Sequence, residues 1–535
     1  MPDILLTTFN ARYIHASFGL RYLMANLGAL RDRAAIVEFD ITQRPTDIVE
    51  SILAARPRVV GIGVYIWNID LASKVVAELK AIQPRLTIVL GGPEVSYDAD
   101  DLSIVRLADH VISGEGDRAF AILCDQLLSS TSGSIPKMIA AAVPHFGEAR
   151  VAPANVAAPL TLPMASPVDA PIALPYDLYS DDDIAHRVVY VEASRGCPFS
   201  CEFCLSSLEI PVRNVPIAPF LSAMQKLLDR GLRRFKFVDR TFNLNLSISQ
   251  SILTFFLERL TSDLFLHFEM IPDRLPDALR KTIATFPPGV LQFEVGIQTF
   301  TEAVCDRISR RQDNVKVEQN LRWLNEETGV HVHADLIVGL PGETLAEFSS
   351  GFDRLVHLRP QEIQVGMLKR LRGTPIVRHD QAFDMVYSPN APYEILSTST
   401  IDFGTMQKMR RFARFWDLIA NSGNFVRTLR LIWQGRSPFS SFMELSEWLY
   451  QSTGRQTHGI GLDRLARLIY DYLALQQTSE LQAIAQQMWD DLAGTGRRDC
   501  PDFLRPHLPA DVSSRRIETG GPRRQAKHRN AQTAP

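Results

Sequence analysis

Along the first 130 residues, short apolar runs alternate with longer stretches whose apolar positions recur at helical spacing. The runs at 4–8, 35–39, 59–64, 86–90 and 110–113 predict strands. Residues 19–30, 45–55 and 71–82 predict helices, with a last helix running through residue 127. Parallel strands need a crossover, so this rhythm predicts a parallel, doubly wound sheet of flavodoxin-like α/β type. The pattern then lapses. Ser, Ala and Pro dominate to about residue 180, with prolines at 153, 159, 163, 167, 171 and 175, which reads as an extended linker containing a domain boundary. A second series begins near Arg187, with candidate strands at 188–193, 234–239, 265–270, 291–297, 332–338 and 362–367 separated by helical stretches. Six βα units predict a partial (βα)6 barrel of the TIM type, whose reactive groups gather at the carboxyl ends of the strands. Helical spacing prevails at 406–420, 425–433, 442–450, 462–476 and 481–492, and the chain ends in a polar, basic stretch. The expected organisation is a first domain at 1–135, a linker at 136–180, a barrel at 181–385, a helical domain at 386–505 and a disordered basic tail at 506–535.

Composition changes this picture little. Of 535 residues, 46% are hydrophobic and 22% charged, as in an ordinary globular protein. The formal net charge of −3 gives no global basic field, which disfavours a large nucleic-acid substrate. No apolar run reaches the length of a membrane span, and the N-terminus reads as a first strand with no basic leader, so a cytosolic protein is expected.

The cysteines carry the sharpest chemistry. Three of six fall within eight positions, in Ser194-Arg-Gly-Cys197-Pro-Phe-Ser-Cys201-Glu-Phe-Cys204, directly after the strand that opens the second series. In a reducing compartment such a cluster points to metal rather than disulfides. A structural zinc site wants four ligands, and no second knuckle is present. An electron-carrying ferredoxin uses four thiolates per cube, whereas three would leave one iron of a 4Fe–4S cluster open. Cys124 and Cys305 fall in apolar helical stretches and read as inert thiols; Cys500 is assigned nothing.

A C-x3-C-x2-C triad at the end of the first barrel strand, with the aromatic Phe203 before the third cysteine, resembles the radical S-adenosylmethionine (SAM) superfamily. The resemblance covers about residues 185–380. It implies that the open iron chelates SAM, that electron transfer yields a 5′-deoxyadenosyl radical, and that the barrel encloses it away from water. Further segments fit in order. Phe237-Val-Asp239-Arg-Thr-Phe-Asn243 ends the second strand where the family contacts the methionine moiety, so Asp239 is a candidate for the SAM ammonium, with a helix cap as the alternative. Glu269, ending the third strand, is a candidate SAM contact or an internal ion-pair member. Glu294-Val-Gly-Ile-Gln298-Thr299 resembles the ribose-contacting segment, which makes Glu294 and Gln298 candidates. The glycines of Asp335-Leu-Ile-Val-Gly-Leu-Pro-Gly342-Glu-Thr are expected to admit backbone near the adenine. Leu368-Lys-Arg-Leu-Arg-Gly-Thr-Pro375 matches the sixth unit. His333 and Asp335 share strand parity, as a polar pair or as substrate contacts.

The first 130 residues resemble the cobalamin-binding domain that precedes some radical SAM barrels. Gly91-Gly92-Pro93-Glu94 ends a strand where the family's glycine pair admits the nucleotide tail, and Gly61-Ile-Gly-Val-Tyr-Ile-Trp-Asn68 ends the strand before it. Ser113-Gly114-Glu115-Gly-Asp117 resembles the family's Gly-Glu-Gly segment, which shapes docking to the barrel. The cobalt-ligating D-x-H-x2-G signature is absent. Its loop reads Phe9-Asn-Ala-Arg-Tyr-Ile-His15-Ala-Ser-Phe-Gly19, and His15 is expected to be an ordinary loop residue. The resemblance implies a 4Fe–4S cluster, SAM and cobalamin as cofactors, a small-molecule substrate, and a low-potential donor such as flavodoxin or ferredoxin. Two alternatives stay open: a radical SAM enzyme without cobalamin, and an iron–sulfur sensor without turnover.

Overall fold

The computed structural model describes residues 1–129, 134–143, 146, 171–208, 212–476, 480–497, 499–509, 524, 525, 527 and 528. The chain forms two compact units: Met1–Arg240 with Lys369–Val377 and Ser388–Glu394, and Thr241–Leu368 with Arg378–Tyr387 and Ile395–Pro535.

In the first unit the apolar runs become β1 (Ile4–Asn10), β2 (Ala34–Asp40), β3 (Val59–Gly63), β4 (Thr87–Gly91), β5 (His110–Ser113) and β6 (Met138–Ala140). Between them lie α1 (Phe18–Ala25), α2 (Pro45–Ala54), α3 (Ile69–Ile82), α4 (Ser103–Leu107) and α5 (Ala119–Leu128). The strands pair in parallel in the order β2-β1-β3-β4-β5-β6. Both faces are covered. Ile4 and Leu6 of β1 pack with Val89, Ile112 and Phe120 on one face, and Leu5 and Phe9 with Val60, Ile62 and α3 on the other. Burial on both faces explains why these strands read as continuous apolar runs. The strand order reverses between β1 and β3, and a crevice opens beyond the carboxyl ends from β3 onward. The helix expected over 19–30 ends at Ala25; Gly28 takes φ +56° and a tighter turn, Gly28–Arg33, follows.

The same unit continues through α6 (Asp181–His186), β7 (Val189–Val191), the short antiparallel strands β8 (Ser194–Arg195) and β9 (Arg213–Asn214), α7 (Ile217–Asp229) and β10 (Arg234–Phe237), which pairs in parallel with β7. The compact unit runs through the described part of the expected linker to Arg240. A buried charge cluster supplies the reason. Arg21 reaches Glu38 at 2.9 Å and Asp183 at 2.7 Å, while Arg187 reaches Asp183 at 3.0 Å and also Glu38. Removing one member of such a cluster costs about 3–5 kcal/mol, so α6 is held to the sheet. Most of the expected linker, residues 147–170, lies outside the described residues.

The second unit contains α8 (Leu246–Leu257), β11 (Phe265–Met270), α9 (Asp277–Ile283), β12 (Leu291–Gln298), α10 (Glu302–Arg307), α11 (Asn314–Glu327), β13 (His331–Val338), α12 (Leu345–His357) and β14 (Glu362–Met367). Its four strands run parallel in the order β14-β13-β12-β11. Along β12, Phe293, Val295 and Ile297 are buried while Gln292, Glu294 and Gln298 alternate with them, so one face of the strand is apolar and the other polar. After the small pair β15 (Val386–Tyr387) and β16 (Ile395–Ser397) come α13 (Phe403–Trp416), α14 (Thr428–Trp433), α15 (Pro438–Ser452), α16 (Leu462–Gln476) and α17 (Leu481–Gly494). An aromatic core of Phe352, Phe412, Trp416, Phe439 and Phe442 ties α12, α13 and α15 together. Within the stretch expected as a tail at 506–535, the described residues near its end make packing contacts. Arg524 bonds Glu362 at 3.0 Å and Asp417 at 2.7 Å, Lys527 donates to Asn424, and Gln525 and His528 are buried. Residues 510–523 lie outside the described residues. No helix among the described residues is long and apolar enough to cross a membrane.

Candidate active site at the cysteine loop and the sheet crevice

A crevice of about 430 Å³ opens at the carboxyl ends of β3, β4 and β5 in the first unit. Its floor is built from strand-end glycines, among them Gly61, Gly63, Gly91, Gly92, Gly114 and Gly116, and its walls include Phe18, Tyr22, Tyr65 and Phe120. The glycines differ in what they make room for. A Cβ on Gly92, at φ +107°, would run into the Val64 carbonyl oxygen and stand 3.1 Å from its nitrogen. Gly92 therefore makes room for the chain's own backbone while also lining the crevice. Gly91 and Gly114 have nothing within 3.7 Å of such a Cβ, so their open side belongs to the crevice. Glu94, expected at the cofactor, does not line it. It is buried, accepting from the Tyr393 hydroxyl at 2.7 Å and Arg372 Nε at 3.1 Å. Burial raises its carboxyl above the usual range against those donors. His15 also stays outside. Its Nδ1 lies 2.6 Å from the Tyr190 hydroxyl, and no histidine is among the lining residues.

The same crevice is lined by Gly196, Leu205 and Ser206, which bracket the three cysteines, and by Val238 and Arg240 beyond β10. Cys201 is buried and Cys197 and Cys204 are half-buried, as is Phe203. The loop is closed by the Cys204 N–H donating to the Cys201 carbonyl at 3.1 Å, and the Ile376 N–H donates to the Glu202 carbonyl at 3.0 Å. The Cys197 thiol is pushed up by burial. The backbone N–H of Phe199 and the charge of Arg240 oppose this, whereas Cys204 and Cys201 add to it, so the three sulfurs feel one another. Cys124, expected to be an inert thiol, is fully buried, and burial pushes its thiol up to about 12.

The stems of the loop are β8 and β9, with Arg195 opposite Arg213. Both arginines grip Glu115 of the crevice turn. Arg195 Nη1 lies 2.9 Å from its carboxylate, and Arg213 Nη1 lies 3.0 Å away. Arg195 further donates to Asp117 at 2.9 Å and to Glu192 at 2.7 Å, and it stacks 4.2 Å over the Tyr22 ring. Burial alone would raise the Glu115 carboxyl, but the two guanidinium groups hold it below the usual range. Sequence reasoning named Glu115, with Asp117 in the same segment, yet missed Arg195 and Arg213 as their partners. The available signal was a pair of arginines flanking the cysteine loop. Asp239, a candidate SAM contact, is buried at the root of the same loop. It accepts from the Ala193 N–H at 3.0 Å and from the Ser194 hydroxyl at 2.7 Å. Burial pushes its carboxyl up to about 7.

The remaining candidates stand in the second unit. Glu269, Glu294 and His333 are successive partners in register across β11, β12 and β13. His267 Nε2 lies 3.1 Å from Glu294, and His333 Nε2 lies 3.5 Å from Asp335, as the shared parity implied. Gln298 adopts φ +70°, and its side chain fills the space a Cβ on Gly296 would take. Gly342 resembles Gly92: a Cβ there would meet Phe383 at 2.6 Å, so that side of the turn is packed against this chain's own ring.

Glu343, in the turn after β13, is buried and accepts from the Thr299 hydroxyl, and burial pushes its carboxyl up to about 7 from 4.5. The folded chain keeps this proton where the unfolded chain has lost it. Its stabilising contribution is therefore full below about pH 4.5 and is lost as pH rises through 7. Glu343→Gln removes the titration. Between pH 5 and pH 8 the variant is expected to lose less stability than the parent, with a difference of up to about 3 kcal/mol. Thermal melts at the two pH values measure it, and equal losses would overturn the assignment.

Comparison with known proteins bears on each part of the chain. Residues 4–124 match the B12 binding domain, residues 191–354 the radical SAM superfamily, and residues 381–518 a protein family of unknown function (DUF4080). The uncharacterized methyltransferase PH0819 of Pyrococcus horikoshii is 29% identical over 209 residues, covering 37% of this chain and 43% of that protein. The ribosomal protein uS12 methylthiotransferase RimO of Geobacter sulfurreducens is 25% identical over 194 residues, covering 35% and 43%. The matches thus span less than half the length of these relatives. Among solved structures, the cobalamin-dependent SAM radical enzyme OxsB superposes with a TM-score of 0.60 at 13% identity, over 95% of this chain and 83% of that one. The radical SAM methyltransferase TsrM of Kitasatospora setae superposes with a TM-score of 0.54 at 16% identity, over 70% and 77%. At such identities these two likenesses establish the fold.

Proposed function

We propose, for a chain that carries a B12-binding domain followed by a radical SAM domain, that Cys197, Cys201 and Cys204 hold a 4Fe–4S cluster at which SAM is reductively cleaved. Cobalamin held in the crevice then serves methyl transfer or another radical modification of a small-molecule substrate. The observation that carries this reading is one crevice lined both by the glycine turns of the B12-binding sheet and by the residues that bracket the cysteines.

The residues present suit these groups. Three soft thiols within eight positions match iron–sulfur ligation. Among the described residues, no three His, Cys, Asp or Glu side chains gather around a point as a single ion requires. A cube asks for a wider triangle, because each thiolate takes a separate iron. The crevice offers a glycine floor and aromatic walls, a surface of the kind on which a flat macrocycle can lie. When bound, the cluster and the corrin supply one-electron cleavage of the sulfonium and a transferable methyl group. The protein supplies position and exclusion. Asp239 anchors Ala193 and Ser194 at the root of the loop, Arg240 offsets negative charge at Cys197, and Phe18, Tyr22, Tyr65 and Phe120 keep the crevice walls apolar. The electron source is a low-potential donor such as flavodoxin or ferredoxin.

The test is anaerobic purification, reconstitution with iron and sulfide, and incubation with reductant and methyl-labelled SAM. The expected result is about four irons per chain, 5′-deoxyadenosine by mass spectrometry, and a cobalamin absorption band that survives desalting. Zinc in place of iron, or absence of 5′-deoxyadenosine, would falsify the reading. Loss of the cobalamin band alone would leave a radical SAM enzyme whose crevice serves another ligand.

A further inference from the structure

The cysteine loop and the crevice share one buried ionic joint. Arg195 and Arg213 close the loop as cross-strand partners, and no other pair of residues joins β8 to β9 except Ser194 and Asn214. Both guanidinium groups converge on Glu115, which sits between Gly114 and Gly116, two residues of the crevice floor. Gly114 takes φ +85°, a conformation open to glycine, and its N–H donates to the Ser96 hydroxyl at 3.1 Å, so the turn presents Glu115 to the two stems in a defined conformation. The arginine side chains are 13% exposed and that of Glu115 is 14% exposed, so the joint is largely removed from water and its charges are weakly screened.

From this we propose that Glu115 is a positioning residue that couples the crevice to the cysteine loop. When the loop closes on its cluster, the stems move Glu115 and with it the glycine turn on which a crevice ligand rests; a ligand bedded on that turn acts back on the loop. The inference rests on the functional reading above and adds to it a route of communication. The second crevice turn provides an internal contrast. Glu94 is held by Arg372 and Tyr393 and bonds neither stem of the cysteine loop, so its link to the loop is indirect, through the segment whose Ile376 N–H donates to the Glu202 carbonyl.

Energetic coupling between two sites is reciprocal, and couplings of about 5- to 150-fold are usual. The experiment titrates the full-length chain with hydroxocobalamin, followed by absorbance, once with the cluster reconstituted and once with the iron omitted. The parent is expected to bind about tenfold differently in the two forms. Glu115→Gln keeps the shape of the side chain but removes its charge. It is expected to bind hydroxocobalamin with affinities that agree within about twofold between the two forms, as is Arg213→Gln, which acts from the other side of the joint. Glu94→Gln is expected to retain the cluster dependence. An independent readout is the electron paramagnetic resonance spectrum of the reduced cluster, which hydroxocobalamin is expected to perturb in the parent and in Glu94→Gln but not in Glu115→Gln. Equal affinities of the parent in both forms would overturn the coupling while leaving the functional reading intact, as would unchanged cluster dependence in both Glu115→Gln and Arg213→Gln, or its loss in Glu94→Gln. Failure of the parent to bind hydroxocobalamin in either form would overturn the cobalamin reading and the coupling together.

Discussion

Cys201→Ser is expected to abolish iron retention and SAM cleavage while leaving the fold in place. Cys201 is the most buried of the three loop cysteines, and its carbonyl closes the turn to Cys204 through the backbone, a contact that serine preserves. Serine differs by one atom and fills nearly the same space. The iron-free variant should therefore unfold within about 1 kcal/mol of the iron-free parent. A hydroxyl is a poor ligand for soft iron, and two thiolates do not secure a cube that three would hold with one iron open. Loss of an outer-shell partner alone typically costs about 10- to 100-fold in affinity or activity, so loss of a ligand should exceed the upper figure. Iron per chain, the cluster's visible absorption and 5′-deoxyadenosine release together measure the effect. Cys500→Ser is the contrast and should retain full iron. Turnover by Cys201→Ser at the parent rate would remove the basis for the cluster assignment.

The second large effect is expected at the crevice floor. Gly92→Ala should destabilise the first unit by about 2–6 kcal/mol, combining about 1–3 kcal/mol for a side chain held in a sparsely populated backbone region with about 1–3 kcal/mol of overpacking. The physical cause is local: the new Cβ would run into the Val64 carbonyl oxygen. Val64 cannot retreat without cost, because its N–H donates to the Gly91 carbonyl at 2.8 Å and continues the pairing of β3 with β4. Gly91→Ala is the informative companion. Its Cβ would meet nothing closer than the Ile112 carbonyl at 3.8 Å, so stability should change by less than about 1 kcal/mol. The methyl group would nevertheless stand on the open floor of the crevice. The expected result is a large fall in melting temperature for Gly92→Ala, and for Gly91→Ala a near-parental melt with weakened hydroxocobalamin retention. Tolerance of alanine at position 92 would show that the turn is not held by this contact.

The two substitutions separate what local sequence conveys from what it does not. Gly-Gly-Pro-Glu at the end of an apolar run announces a turn at a sheet end, and the turn is there. The use of each glycine was hidden, because the atom that excludes a side chain from position 92 belongs to Val64 on the neighbouring strand. Glu94 and Glu115 each come shortly after a glycine at a strand end, the first expected at the nucleotide tail and the second at the docking to the barrel. One is sequestered by Arg372 and Tyr393, and the other is shared between the stems of the cysteine loop. Asp239 and Gly342 show the same divide: their positions were legible, while their partners, Ala193 with Ser194 and Phe383, were not. The ion pairs from Arg21 and Arg187 to Glu38 and Asp183 are of the same kind: the charged positions were legible, their pairing across the chain was not.

By itself, then, the sequence determined the strand and helix series, the two kinds of α/β architecture, and the thiol triad. Each of these depends on residues within a few positions of one another, where periodicity and ligand spacing act directly. Tertiary structure alone decided that the glycine turns and the cysteine loop line one crevice, and that Glu115 meets Arg195 and Arg213 across 80 and 98 residues of chain. Contacts at such separations arise only when a packed core brings distant segments together, and no local pattern of residue types encodes which buried charge will find which partner.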